Sequence, residues 1–195
     1  MLASEIWNPR FVVPFLMENG SVLIRGFKRR FHDGKPFAFS FNVADRCPIN
    51  CDCYWRAQAR VKELTDEQVL DFFNQKRAEG YVHVNLIGGE PYVRPALLEK
   101  ITGVIPFAWL VTSGTTPLRR LRHTTQVISI DGATAETHDR VRKSKGLYDR
   151  IQKNVRRARE EGIGPIFLHT VLNHLNYREI DGILQTWSES GLAKG

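Results

Sequence analysis

Three cysteines stand within seven consecutive residues, Cys47-Pro48-Ile49-Asn50-Cys51-Asp52-Cys53, and they are the whole thiol supply of the chain. Thiols this close together serve one centre rather than three separate structural roles. Three thiolates on one metal leave the fourth position of a tetrahedral or cubane site open, and chemistry happens at an open position. Soft sulfur donors suit zinc or an iron–sulfur cluster. Zinc sites usually use paired C-x-x-C blocks, and none exists here. A zinc reading therefore needs a histidine such as His83 as the fourth ligand. An odd, clustered cysteine count with no recognisable secretory signal points to a reducing, cytoplasmic setting and to metal rather than disulfides.

The elements that must position this loop read as strand and helix in alternation. Residues 37–43 form a strand that ends at the cysteines. Thr65-Asp66-Glu67-Gln68 is a capping box that opens a helix ending at Gly80. Further strands are expected at 82–87, 107–111, 126–130 and 165–172. Helices are expected at 94–101, 147–161 and 177–190, with a helical turn at 117–121. Five strand–helix units imply a parallel sheet with crossovers, in which ligands collect at the carboxyl ends of the strands. The chemically unusual residues all fall on that rim. The cysteine loop follows the first strand, Gly88-Gly89-Glu90-Pro91 the second and Thr112-Ser113-Gly114 the third, while Ser129-Ile130-Asp131-Gly132 closes the fourth.

On these motifs, together with Thr137-His138-Asp139-Arg140-Val141-Arg142, the chain resembles the core of radical S-adenosylmethionine (SAM) enzymes over roughly residues 37–184. The resemblance implies an α/β fold, a parallel (βα) partial TIM barrel with about five of six units present. It implies a [4Fe–4S] cluster on Cys47, Cys51 and Cys53, with SAM chelated at the open iron. It also implies reductive cleavage of SAM to a 5′-deoxyadenosyl radical, fed by an external electron donor of flavodoxin or ferredoxin type. Gly88, Gly89, Glu90 and Pro91 correspond to the segment that meets the methionine ammonium, with Glu90 suited to accept from it. Ser113 and Ser129 offer hydroxyls to ribose or carboxylate. Either Arg142 or Arg140 pairs with the carboxylate, and Asp131 either binds ribose or caps its turn. Thr170 and Leu172 correspond to positions lining adenine, and Tyr54 to the family's loop aromatic. The spacing departs from the family pattern: C-x3-C-x-C is one residue shorter than the usual C-x3-C-x2-C.

The remaining sequence narrows the rest. Residues 1–36 read as a lead-in, with a short helix at 11–17 and a short strand at 21–24, and 37–195 as the core, C-terminally incomplete. The open sheet edge that this leaves invites a partner chain. No apolar run is long enough to span a bilayer. The net charge of +7 lies partly in Arg25, Lys28, Arg29 and Arg30. Aromatics do not alternate with the charges as a nucleic-acid stacking platform requires. Trp55 and Tyr92 flank the site and are candidates to touch substrate, His138 is a candidate ligand or proton donor, and His169 fits no pattern. The substrate is unknown, peptide or lipid-like. The alternative from another class is a non-catalytic relative that holds zinc or nothing and acts through a partner.

Overall fold

The computed structural model describes residues 9–51 and 62–189. Cys53, Tyr54 and Trp55 lie outside the described residues, so the third thiol and the loop aromatic have no placement. Five strands make one sheet: β1 (Ala38–Asn42), β2 (His83–Ile87), β3 (Phe107–Thr112), β4 (Thr124–Ser129) and β5 (Ile166–His169). Every neighbouring pair is parallel, and the spatial order equals the chain order. The expected parallel α/β sheet is therefore present, and its carboxyl-terminal edge is one continuous rim.

Strand residues alternate between two environments. Val84, Leu86, Ala108, Leu110, Ile128 and Ile130 belong to one apolar cluster with Phe73 of α2 (Asp66–Ala78), Leu98 and Ile101 of α3 (Pro95–Val104), and Ile151 and Val155 of α5 (Leu147–Glu160). Burial of that face in a dry core is the main driving force for the sheet. The opposite face carries Ser40, Asn85, Trp109 and Thr125 in one register row, and these are exposed or partly exposed. Thr65 caps α2 with the reciprocal capping box expected from sequence.

Three local expectations are corrected. The lead-in is one helix, α1 (Pro9–Phe27), continued by a short π segment to His32, and not a helix plus a strand. Tertiary contacts override its Gly20-Ser21 breaker: Asn19 and Val22 are buried, and Arg77 reaches from α2 to the Asn19 amide oxygen and the Glu18 carbonyl. The segment 117–121, expected as a helical turn, has no regular secondary structure. Tyr92 and Gln126 hold that segment, through Arg119 N–H to the Tyr92 hydroxyl (3.1 Å) and Gln126 Nε2 to the Arg119 carbonyl (2.9 Å). An additional helix, α4 (Ala135–Arg142), follows β4, with Thr134 accepting from the Thr137 N–H at its start. The chain closes with α6 (Ile180–Glu189), whose Trp187 meets Tyr148 of α5 edge-on.

Candidate functional site

The cysteine loop is seated on the end of β2. Beyond β1 the two chains remain zipped together: Val43 N–H donates to the Ile87 carbonyl, Gly89 N–H to the Ala44 carbonyl and Glu90 N–H to the Arg46 carbonyl. The glycine pair is what this approach requires. A Cβ on Gly88 would collide with the Asn42 amide oxygen and sit 2.5 Å from the Ala44 carbonyl oxygen. Its φ of +134° also disfavours any L side chain. A Cβ on Gly89 would lie 2.5 Å from the Arg46 carbonyl oxygen and 2.6 Å from that of Asp45. The neighbour pressed against both glycines is thus the loop's own backbone.

Glu90 is fully buried, and its carboxylate turns inward. Oε1 accepts from the Tyr92 N–H (3.1 Å) and the Thr112 hydroxyl (2.8 Å). Oε2 accepts from the Ser113 N–H (2.8 Å) and the Ser113 hydroxyl (2.5 Å). Four donors fill the acceptor sites of one carboxylate. Glu90 therefore ties the end of β2 to the end of β3. Pro91 opens the short 3-10 turn that follows and is buried beside it. Tyr92 is a core residue rather than a substrate contact. Its hydroxyl donates to Gln126 at 2.5 Å, and burial pushes the phenol up to about 12.

At the end of β4, Asp131 plays the same kind of role. Its Oδ1 accepts from the Val171 N–H (2.9 Å), its Oδ2 lies 2.6 Å from Arg142 Nε, and its own N–H donates to His138 Nδ1 (3.0 Å). The pair joins β4, α4 and the exit of β5. His138 is fully enclosed, and burial, reinforced by the Arg142 charge, lowers its pKa to about 4. It is a neutral structural histidine whose Nδ1 accepts.

Between these ties lies an open cleft of about 220 Å³. Its walls include Cys47 and Cys51 after β1, Gly88 and Gly89 after β2, Ser113 after β3, and Ser129 and Arg142 at and beyond the end of β4. Five of the residues singled out from sequence, Gly88, Gly89, Ser113, Ser129 and Arg142, thus meet there with the loop's first two thiols, and Arg142 is distinguished from the exposed Arg140. Glu90 and Asp131 support the walls without lining them. Leu172 does not line the cleft: it is 50% exposed, while Val171 and His169 line it instead. Thr170 turns its hydroxyl to the Ile130 carbonyl (2.6 Å). The expectation for β5 was off by one residue, and in a period-2 element a slip of one moves every side chain to the other face. Parallel register with β4 is what brings His169 beside Ser129.

His83 sits at the other end of β2, four residues from Ile87, or about 13 Å along a strand. It faces Trp109 on the same sheet face, so it is not the fourth ligand that a zinc reading requires.

A donor set of two soft thiols, hydroxyls and a guanidinium in one cleft fits a cluster beside a zwitterionic ligand. The family model of the radical SAM superfamily matches residues 41–186. The chain belongs to the radical SAM superfamily. The cofactors of that family are a [4Fe–4S] cluster and SAM. Among similar proteins, an AdoMet-dependent heme synthase of Methanosarcina barkeri is 29% identical over 80% of this chain and 48% of its own length. A PqqA peptide cyclase of Rhizobium meliloti is 30% identical over 77% of this chain and 43% of its own. Streptococcus suis SuiB bound to S-adenosylmethionine shares the fold, with a TM-score of 0.66 at 16% identity over 80% of this chain and 39% of that one. The structure of anSMEcpe with bound AdoMet and a Cp18Cys peptide gives 0.63 at 16% identity, covering 80% and 48%. The radical SAM partial barrel is thus the fold of this chain, which spans about half the length of these relatives.

Proposed function

We propose that this chain is the SAM-binding core of an enzyme that modifies a peptide by radical chemistry. The observation that carries the reading is one cleft lined by Cys47 and Cys51 together with Ser113, Ser129 and Arg142. Cys47, Cys51 and Cys53 would hold the cluster. When bound, a reduced cluster supplies the electron that cleaves the SAM sulfonium and so gives the 5′-deoxyadenosyl radical. The chain's own contribution is positional. Arg142, aimed by Asp131, presents a planar cation to a carboxylate. The Gly88-Gly89 backbone stands where an ammonium needs carbonyl oxygens, and Ser113 and Ser129 offer hydroxyls to ribose. The sheet face below the rim, with half-exposed Trp109 and Phe167, offers an apolar surface for substrate. Reduction by an external flavodoxin or ferredoxin belongs to the same proposal. A peptide substrate is favoured by the names of the similar proteins, a PqqA peptide cyclase and the mycofactocin maturase MftC of Mycobacterium tuberculosis.

The test is anaerobic reconstitution followed by reduction with dithionite. The expected result is about four iron and four sulfide per chain and formation of 5′-deoxyadenosine from SAM. Stoichiometric zinc with no iron uptake would overturn the proposal in favour of a non-catalytic relative.

A further inference from the structure

Helix α1 is apolar on two adjoining faces, and the body of the protein uses only one of them. The inward face carries Phe15, Asn19, Val22 and Gly26. Phe15 meets Phe107 at 5.2 Å and His123 at 4.8 Å, and Val22 is fully buried. Asn19 takes Arg77, and a Cβ on Gly26 would be 2.9 Å from the Gly80 carbonyl oxygen. The second face carries Val13, Leu16, Met17, Ile24, Phe27 and Phe31. All are exposed, from 50% at Leu16 to 83% at Met17. At helical periodicity they share one side in two groups, Val13, Leu16 and Met17 and then Ile24, Phe27 and Phe31, with Gly20 and Ser21 between them. From Val13 to Phe27 this stripe runs about 21 Å at 1.5 Å per residue. Scattered exposed apolar residues need no explanation, but a grouped stripe does.

The charge beside the stripe has one sign. Over residues 12–35 there are five Lys or Arg and two carboxylates. Glu18 is tied to Arg122 at 2.6 Å, and Asp33 pairs with its neighbour His32. Arg25, Lys28, Arg30 and Lys35 are exposed at the end of the stripe that holds the Phe27–Phe31 ring pair. A second copy laid on this face offers those cations no acidic cluster: a parallel copy brings them together, and an antiparallel copy sets them against Val13, Leu16 and Met17. An anionic lipid surface satisfies both features at once: it takes the apolar side chains a few ångströms deep, and its headgroups meet the basic end. No described helix is long and apolar enough to cross a membrane, so the bilayer is met as a surface.

We propose that α1 docks this protein on anionic membrane surfaces through Met17, Ile24, Phe27 and Phe31, with Arg25, Lys28 and Arg30 at the headgroups. The inference does not depend on the chemistry of the cleft. The experiment is co-sedimentation of the full 195-residue chain with vesicles of phosphatidylcholine alone and of phosphatidylcholine with phosphatidylglycerol, at low and high salt. Expected is binding to the anionic vesicles that weakens with salt, and about tenfold or more weaker binding for Ile24→Glu/Phe27→Glu and for Arg25→Glu/Lys28→Glu/Arg30→Glu. These side chains are exposed, so melting temperatures are expected to match the parent, and a variant that melts early is replaced by Met17→Asp. Equal binding to neutral and anionic vesicles, or none to either, would sink the proposal. So would a parent oligomer that Ile24→Glu/Phe27→Glu makes monomeric, since the face would then be a protein interface.

Discussion

Replacing Glu90 by Gln is expected to lower fold stability as well as ligand affinity, because the carboxylate holds two strand ends together. The amide presents oxygen on one side and NH2 on the other. In either orientation the NH2 meets a backbone N–H, that of Tyr92 or that of Ser113, which is then left without an acceptor. A stranded buried donor costs about 1–3 kcal/mol, and the remaining bonds lose charge assistance worth about 1 kcal/mol. The Thr112 or Ser113 hydroxyl can rotate to accept from the amide, which offsets part of this. The sum is about 2–4 kcal/mol, or a fall in melting temperature of about 6–12 °C for a chain of this size. Differential scanning fluorimetry of the unloaded chain reads it directly, since no SAM is present to confuse stability with binding. Ser113→Ala removes one of the four bonds and should cost about 1 kcal/mol. A Glu90→Gln protein that melts within about 1 °C of the parent, yet binds SAM poorly once reconstituted, would refute the reasoning. The carboxylate would then act on the ligand.

The other predictions concern the loop seat, the guanidinium and the buried histidine. Gly89→Ala should disturb the cysteine loop, because its Cβ meets carbonyl oxygens at 2.5 and 2.6 Å; iron after reconstitution should fall to about half the parent's four per chain or less. Arg142→Ala should weaken SAM binding by about tenfold or more in an anaerobic titration, while Arg140→Ala, on the exposed side of α4, should leave it unchanged. His138 sets an acid limit. Its folded pKa of about 4 lies below the unfolded value of about 6.5, so the unfolded chain binds more protons in between. That stability is complete above about pH 6.5 and is lost as pH falls towards 4, by about 3 kcal/mol in all. Urea midpoints of the unloaded chain across that window should show the loss, and His138→Gln should flatten it.

The sheet was legible because parallel crossovers impose a rule: each strand reads as an apolar run closed by glycine or small polar residues, and ligand chemistry gathers where it closes. That logic put Cys47, Gly88, Ser113 and Ser129 on one rim, and all four line the cleft. What the sequence hid was direction. Glu90 and Asp131 sit at the rim but turn their carboxylates into the protein, and a one-dimensional motif cannot tell a group that faces the ligand from one that aims its neighbour. Leu172 failed for a related reason, since parity along β5 depends on register with β4, which adjacent residues do not encode. Pro117–Leu121 failed because long-range bonds from Tyr92 and Gln126 decide that segment.

The shortened cysteine spacing looks different once the frame around it is visible. Arg94, which carried no motif, donates to the Val43 carbonyl (3.0 Å), the Leu64 carbonyl (3.0 Å) and the Asp66 carboxylate (2.6 Å). One guanidinium therefore joins the strand that leads into the loop to the helix that leads out of it, using the fork geometry that lysine lacks. Glu63 adds a second tie, accepting from the Asp45 N–H at 3.0 Å. With both ends held, and the entry also zipped to Gly89 and Glu90, the start and the end of the loop are set by contacts that do not involve its interior. The position of the first thiolate is then set by the frame and not by the number of residues between Cys51 and Cys53. The frame, rather than the spacing alone, fixes where the loop begins and where it ends.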